Sequence, residues 1–195
     1  MKKSTTRTAV IVICLIAIMV GYFAYLSGRS RESDTDTQMT AVQDVLNRNM
    51  NTDYPPTPKE VVKYYNDILR CLYNEEYSDA EFDELGHRAR ELYDAELLEQ
   101  NELGTYMMRL GAEIQEYKNA KRKITGSAVA ASTNVDFFTE DGFEFARLQS
   151  GYNVIDGGEK KYSITVYLLR KDEQKRWKIY GWTQADNVTV GKEEK

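Results

Sequence analysis

A chemical reading of the sequence starts with its scarcest reactive side chains. There is one histidine and there are two cysteines in 195 residues. His87 stands in Gly86-His87-Arg88-Ala89-Arg90. Helical spacing turns it away from Phe82 and Ala89, toward solvent, whereas a general base needs a positioned partner and a cleft. Asp136 falls on the strand face opposite Val135 and Phe137, where a solvated aspartate is expected. Cys71 flanks an apolar helical stripe and Cys14 lies inside an apolar run, so each reads as packing rather than as a disulfide or a lipidation site. Asp156-Gly157-Gly158-Glu159 lacks the alternating carboxylates of a calcium loop and reads as a turn. Lys118, Lys121, Arg122 and Lys123 suit the C-terminal end of a helix dipole. Phosphate-loop, dinucleotide, zincin and nucleophile-elbow motifs do not occur. No catalytic residue, cofactor or metal ligand is assigned on these grounds.

Tyrosine is the residue type in excess, with 14 against 6 Phe and 2 Trp. Strict alternation over the last two strands gives two apolar faces. One carries Tyr162, Ile164, Val166 and Leu168 with Trp177 and Ile179. The other carries Tyr167, Leu169, Tyr180 and Trp182, which are the candidate interface or pocket residues. A sheet covered on one side should be polar on its second face. The second face therefore meets a protein partner or another copy, is covered by the linker or tail, or lines a ligand pocket.

The elements that must position these residues begin with an anchor. Ala9 to Leu26 reads AVIVICLIAIMVGYFAYL, without a charge. As a helix it would reach about 27 Å, close to the ~30 Å hydrocarbon core of a bilayer. Lys2, Lys3 and Arg7 precede it, against Arg29 and Arg31 after it, which places the N-terminus in the cytoplasm and the bulk of the chain outside. No pair of small residues marks a cleavage site, so an uncleaved anchor is read over a signal peptide. The expected layout is a cytoplasmic N-terminus at 1–8, a transmembrane helix at 9–27, a flexible linker at 28–56, an α+β domain at 57–186 and a disordered tail at 187–195.

Within the domain, Thr57-Pro58 with Glu60 and Ser78 with Glu81 open two helices, and a third runs from Leu103 through Tyr117. After Lys123 the apolar period changes from 3.6 to 2. Alternation at Val129, Ala131, Thr133, Val135 and Phe137, then at 143–155, at 162–168 and at 177–184, predicts four antiparallel strands. Asp141-Gly142 and Asp156-Gly157-Gly158 mark turns between them. Helices followed by a meander give an α+β fold of about three helices on a four-stranded sheet.

The capped helices, the turn Asp141, Gly142, Glu144, Phe145, Ala146 and the run YLLRKDEQKRWKIYGW from Tyr167 to Trp182 resemble the nuclear transport factor two-like superfamily over Thr57 to Asp186. The resemblance implies helices packed into the concave side of a strongly bent sheet, a cone. Isomerases and dehydratases of that superfamily carry Asp, His or Tyr inside the cone, and no matching Asp–Tyr or His–Asp set is found here. The fold hosts enzymes, binding modules and assembly domains alike.

Charge limits the partners. The chain carries −5. Without Lys2, Lys3 and Arg7 the 26 basic residues become 23 against 31 acidic ones, a net −8. That excludes a dedicated nucleic-acid binder and favours a basic or neutral partner. The sequence thus reads as a single-pass, membrane-anchored extracytoplasmic binding or assembly domain, non-enzymatic. The alternative is a binder of a small hydrophobic ligand or a cone-type isomerase or dehydratase.

Overall fold

The computed structural model describes residues 39–185. The expected span at 9–27, the N-terminus at 1–8 and the tail at 187–195 lie outside the described residues. Among the described residues no helix is long and apolar enough to cross a membrane.

The order is α+β, with five helices, α1 (Ala41–Leu46), α2 (Pro58–Asn74), α3 (Asp79–Glu91), α4 (Ala95–Gln100) and α5 (Leu103–Asn119), before the strands. Local chemistry starts each long helix. The Thr57 hydroxyl accepts from the Glu60 amide at 3.2 Å, with Pro58 in the first turn of α2. Ser78 and Glu81 form a reciprocal capping box on α3. The Glu102 carboxylate accepts from the amides of Gly104 and Thr105 at 2.9 and 2.8 Å and opens α5. α2 is central, and Val61, Val62, Ile68, Cys71 and Leu72 are all fully buried. Close helix packing is set at Gly86, where a β-carbon would run into the Met107 thioether of α5.

One finding differs from the sequence reading at the N-terminal side. The folded unit begins at Thr40 rather than at 57. Val42, Val45 and Met50 belong to the hydrophobic core, so the helix-like apolar spacing of Met39, Val42, Leu46 and Met50 gives a short buried helix at Ala41–Leu46 and a buried Met50, not linker, while Met39 stays exposed. Two six-residue helices, α1 and α4, accompany the three long ones, α4 falling where Ala95 to Asn101 reads as a short or broken helix.

The sheet has five antiparallel strands, not four: β1 (Lys123–Val129), β2 (Asp136–Glu140), β3 (Phe143–Asp156), β4 (Glu159–Lys171) and β5 (Trp177–Ala185). The alternation from Val129 to Phe137 is broken by a 3-10 turn at Ser132–Asn134. There the Asn134 amide bonds back to the Ala131 carbonyl at 2.8 Å, and Thr133 donates to the Asn134 side chain at 3.3 Å. Such short polar side chains favour local bonds over a ladder. The break lets β1 and β2 pair in tandem with one edge of β3, β1 opposite 150–155 and β2 opposite 143–147. β4 takes the other edge of β3, and β5 follows it. Both expected tight turns form with positive φ at their two central residues, Asp141 and Gly142 at 50° and 81°, Gly157 and Gly158 at 60° and 91°.

The helices cover one face of this sheet. Ala146, Leu148, Leu169 and Ile179 are sealed into the core with α2 and α3 residues. The segment after α3 clasps the edge of β5. The Asp94 amide donates to the Ile179 carbonyl at 2.8 Å, and the Ile179 amide donates to the Leu92 carbonyl at 2.7 Å. Arg170 locks the clasp through the buried Asp94 carboxylate at 2.5 and 3.0 Å.

Candidate functional site: a tyrosine-lined cavity

α2 carries Tyr65, Leu69 and Tyr73 at a four-residue spacing, one stripe of a helix. α5 carries Tyr106, Leu110, Glu113 and Tyr117 on a comparable stripe. β3, β4 and β5 contribute the helix-facing positions Tyr152, Tyr167 and Trp182. These groups, with Tyr93 from the α3–α4 connection, line a cavity of about 650 Å³, within the range of small-molecule sites.

The rings form one connected cluster. Tyr65 lies 5.9, 6.0 and 6.0 Å from Tyr93, Tyr167 and Trp182, centroid to centroid. Trp182 is also 5.7 Å from Tyr93 and 6.4 Å from Tyr167. The interplanar angles are between 40° and 78°, the tilted and edge-on arrangements that the ring quadrupole prefers. Tyr73 and Tyr117 make a second pair at 4.6 Å.

A hydrogen-bond chain lies behind the rings. Tyr152 donates to the Asn66 side-chain oxygen at 2.5 Å, so the 2.6 Å bond between Tyr152 and Tyr167 is donated by Tyr167. Asn66 donates onward to Ser150 Oγ at 2.9 Å. Asn66 and Ser150 are buried polar residues, 3% and 0% exposed, and each is satisfied by this chain. Tyr65 and Tyr93 share a 2.9 Å bond. Tyr73 donates to Glu113 at 2.5 Å.

Burial pushes the phenols of Tyr65, Tyr93, Tyr106, Tyr152 and Tyr167 up from their ordinary value. Tyr73 is raised by burial and then by its bond to Glu113. All stay neutral at physiological pH, so they offer hydroxyl donors and π-faces rather than charge. One hydroxyl stands apart. The Tyr117 oxygen is buried with no hydrogen-bond partner among the described residues. An orphaned buried hydroxyl costs on the order of 1–3 kcal/mol.

The sequence-derived candidates separate. Tyr167 and Trp182 line the cavity. Leu169 is fully buried in the core. Tyr180 is outside the cavity, because it sits in a register shift. Leu168 pairs with Gly181 but Leu169 with Ile179, which leaves Tyr180 as the extra residue. Its hydroxyl donates to Glu96 at 2.8 Å and its ring lies under Arg170 at 4.8 Å. The shift also moves Ile179 onto the helix-facing side with Tyr167, Leu169 and Trp182. His87 is exposed, with Nδ1 2.7 Å from the Asp83 carbonyl oxygen. Asp136 is exposed and pairs with Arg147 at 3.0 Å. Tyr65, Tyr73, Tyr93, Tyr106, Tyr117 and Tyr152 were not singled out from the sequence. The readable signal was tyrosine recurring at helical spacing on α2 and α5.

No curated protein sequence matches the chain. Among solved structures, a chain described as TraH from the Gram-positive conjugative plasmid pIP501, solved by solution NMR, aligns at 16% identity. The alignment covers 67% of this chain and 93% of that one, with a TM-score of 0.36, a superposition too loose to fix fold or function. The family comparison is broader, since the profile described as "Domain of unknown function (DUF6715)" matches residues 1–182, the apolar segment at 9–27 and the cavity-lining residues through Trp182 together. The chain belongs to that family.

Proposed function

We propose that this chain is a membrane-anchored binding domain, non-enzymatic, held by residues 9–27 with its N-terminus in the cytoplasm and residues 40–185 outside. Its site is the tyrosine-lined cavity, and its ligand is a small, mostly apolar molecule carrying at least one hydrogen-bond acceptor. The observation that carries this reading is the cavity of about 650 Å³ lined by Tyr65, Tyr73, Tyr93, Tyr106, Tyr152 and Tyr167. Phenol hydroxyls at its wall can donate to an acceptor on a ligand. We also assign the fold to the nuclear transport factor two-like cone. Helices covering one face of an antiparallel sheet, with a cavity between them, support that assignment.

The test is native mass spectrometry of the full-length chain, extracted from its own membranes and released from detergent. A small-molecule adduct retained by the wild type and lost in Trp182→Ala supports the reading; a wild-type chain free of any adduct removes it. Orientation is checked with Lys195→Cys and a membrane-impermeant maleimide on intact cells. Labelling is expected, and protection reverses the orientation. Cys71 gives little background, being fully buried with its thiol pushed by burial up to about 11.

A second reading, assembly through the sheet, is favoured by one observation. Phe143 and Tyr162 are 48% and 58% exposed, and both are large rings of the sheet left open to solvent.

A further inference from the structure

Tyr93 borders a second opening, a polar groove of about 730 Å³. Five cations line it: Arg48, Arg88, Arg90, Arg176 and Lys178. Glu91 is the one carboxylate among the lining residues. In a chain of net charge −5 this is a local reversal of sign.

Part of that charge is explained by structure. Arg48 is neutralised by Asp53 at 3.1 Å and Arg88 by Glu91 at 3.1 Å. Arg88 and Arg90 also stand in the last turn of α3, where cations offset the helix dipole. The dipole does not account for Arg176 and Lys178, which come from the β4–β5 turn and from β5. Arg90, Arg176 and Lys178 have no carboxylate within ion-pair distance among the described residues. Arg90 instead donates to the Asn101 carbonyl and lies over the Tyr106 ring at 5.2 Å. Arg176 and Lys178 both lie over the Tyr54 ring, at 5.1 and 4.6 Å. Lys178 donates to the Glu91 carbonyl at 2.7 Å. Asp172 is close in sequence, but its Oδ1 accepts from the Arg176 backbone amide at 2.8 Å. Burial holds the Lys178 ammonium below its usual range; Asp172, Glu91 and Asp94 oppose that shift and Arg176 adds to it. An anion in the groove would offset the repulsion from Arg176.

We infer that this groove is a site for a phosphate-bearing anion, held by Arg90, Arg176 and Lys178. Three cations with no carboxylate at ion-pair distance line one polar opening, with Asp172, Glu91 and Asp94 acting on Lys178 from further away. Guanidinium forks match phosphate oxygens in pairs, and lysine supplies a point charge. A single carboxylate would leave most of that charge unmet. The phosphate has two possible sources, a soluble phosphate compound or a lipid headgroup. The second rests on the anchor proposed above.

The test uses the full-length chain in neutral detergent, with inorganic pyrophosphate as probe and potassium chloride at matched ionic strength as reference. Calorimetry should show saturable pyrophosphate binding, and the thermal midpoint should rise above that in the chloride reference. Arg176→Gln/Lys178→Gln should weaken binding by about tenfold or more, and Lys160→Gln, a cation on the β3–β4 hairpin, should leave it unchanged. If the double variant does not fold, Arg176→Gln alone carries the comparison. Absence of binding beyond the chloride reference overturns the proposal, as does equal loss in Lys160→Gln. The source is then read in nanodiscs of phosphatidylcholine with and without phosphatidylglycerol. If the phosphatidylglycerol discs abolish the pyrophosphate response, the groove takes headgroups. An equal response in both discs assigns it to soluble phosphates.

Discussion

At Ala146 and Leu148 the helix-facing side of the sheet is sealed, whereas at Tyr152 and Val154, further along the same strand, it borders a cavity. The two ends share β3, β4, β5 and α2, while α3 packs at the sealed end and α5 lines the open one. They differ in side-chain chemistry. The sealed end joins Leu169, Ile179, Ile68 and Leu72, which have no polar demands and pack to contact. The open end joins tyrosines whose hydroxyls must find partners and whose stiff rings prefer tilted contacts at about 4.5–7 Å. The bonds that meet those demands, from Tyr167 to Tyr152 to Asn66 to Ser150, fix the rings in place and keep the volume between them from closing.

Alkaline titration should break this difference with the largest effect. The fold favours neutral phenols, so their contribution is intact below the unfolded tyrosine value of about 10 and is lost as pH rises beyond it toward the raised folded values. Each such phenol removes up to about 1.4 kcal/mol per pH unit in that window. With Tyr65, Tyr93, Tyr106, Tyr152 and Tyr167 all raised, the chain should unfold cooperatively above pH 10, with tyrosinate absorbance appearing in the same step. Gradual ionisation of these phenols in a folded chain would contradict the account.

The sealed end answers to cavity creation instead. Leu169→Ala should cost about 2–5 kcal/mol by denaturant unfolding, because a fully buried side chain is removed. A cost near zero would mean that this end is as loosely filled as the other. The smallest change sharpens the contrast by its sign. Tyr117→Phe removes the orphaned hydroxyl and should stabilise the chain by about 1 kcal/mol. Destabilisation would show that the hydroxyl already has a partner.

Much of the scaffold was legible because it is written locally. Thr57, Ser78 and Glu81 start helices wherever they occur before an apolar stripe. Asp141-Gly142 and Asp156-Gly157-Gly158 form tight turns because two successive residues must take positive φ. The parts that were not legible depend on what lies far away in sequence. Val42, Val45 and Met50 look like sparse apolar residues in a polar stretch until they meet the core formed with α2 and α3. Tyr180 breaks strand parity only because β4 and β5 shift register opposite Leu168 and Leu169. Tyr167 and Trp182 were found as an unexplained apolar face. Their companions on α2 and α5 were not, since a tyrosine at helical spacing gives the same signal whether it borders a core or a cavity. Asn66 and Ser150, 84 positions apart, are ordinary polar letters until the fold brings them within 2.9 Å.

The clasp of Leu92 and Asp94 on Ile179 has a consequence for many copies held side by side on one surface. A bare strand margin invites a neighbour to add on, ribbon fashion. Here the amide and carbonyl of Ile179 are already occupied by the chain's own backbone, and Arg170 pins the occupying segment from the adjacent strand. At that point the outermost strand is self-sealed, so crowded copies have no foothold there for runaway stacking.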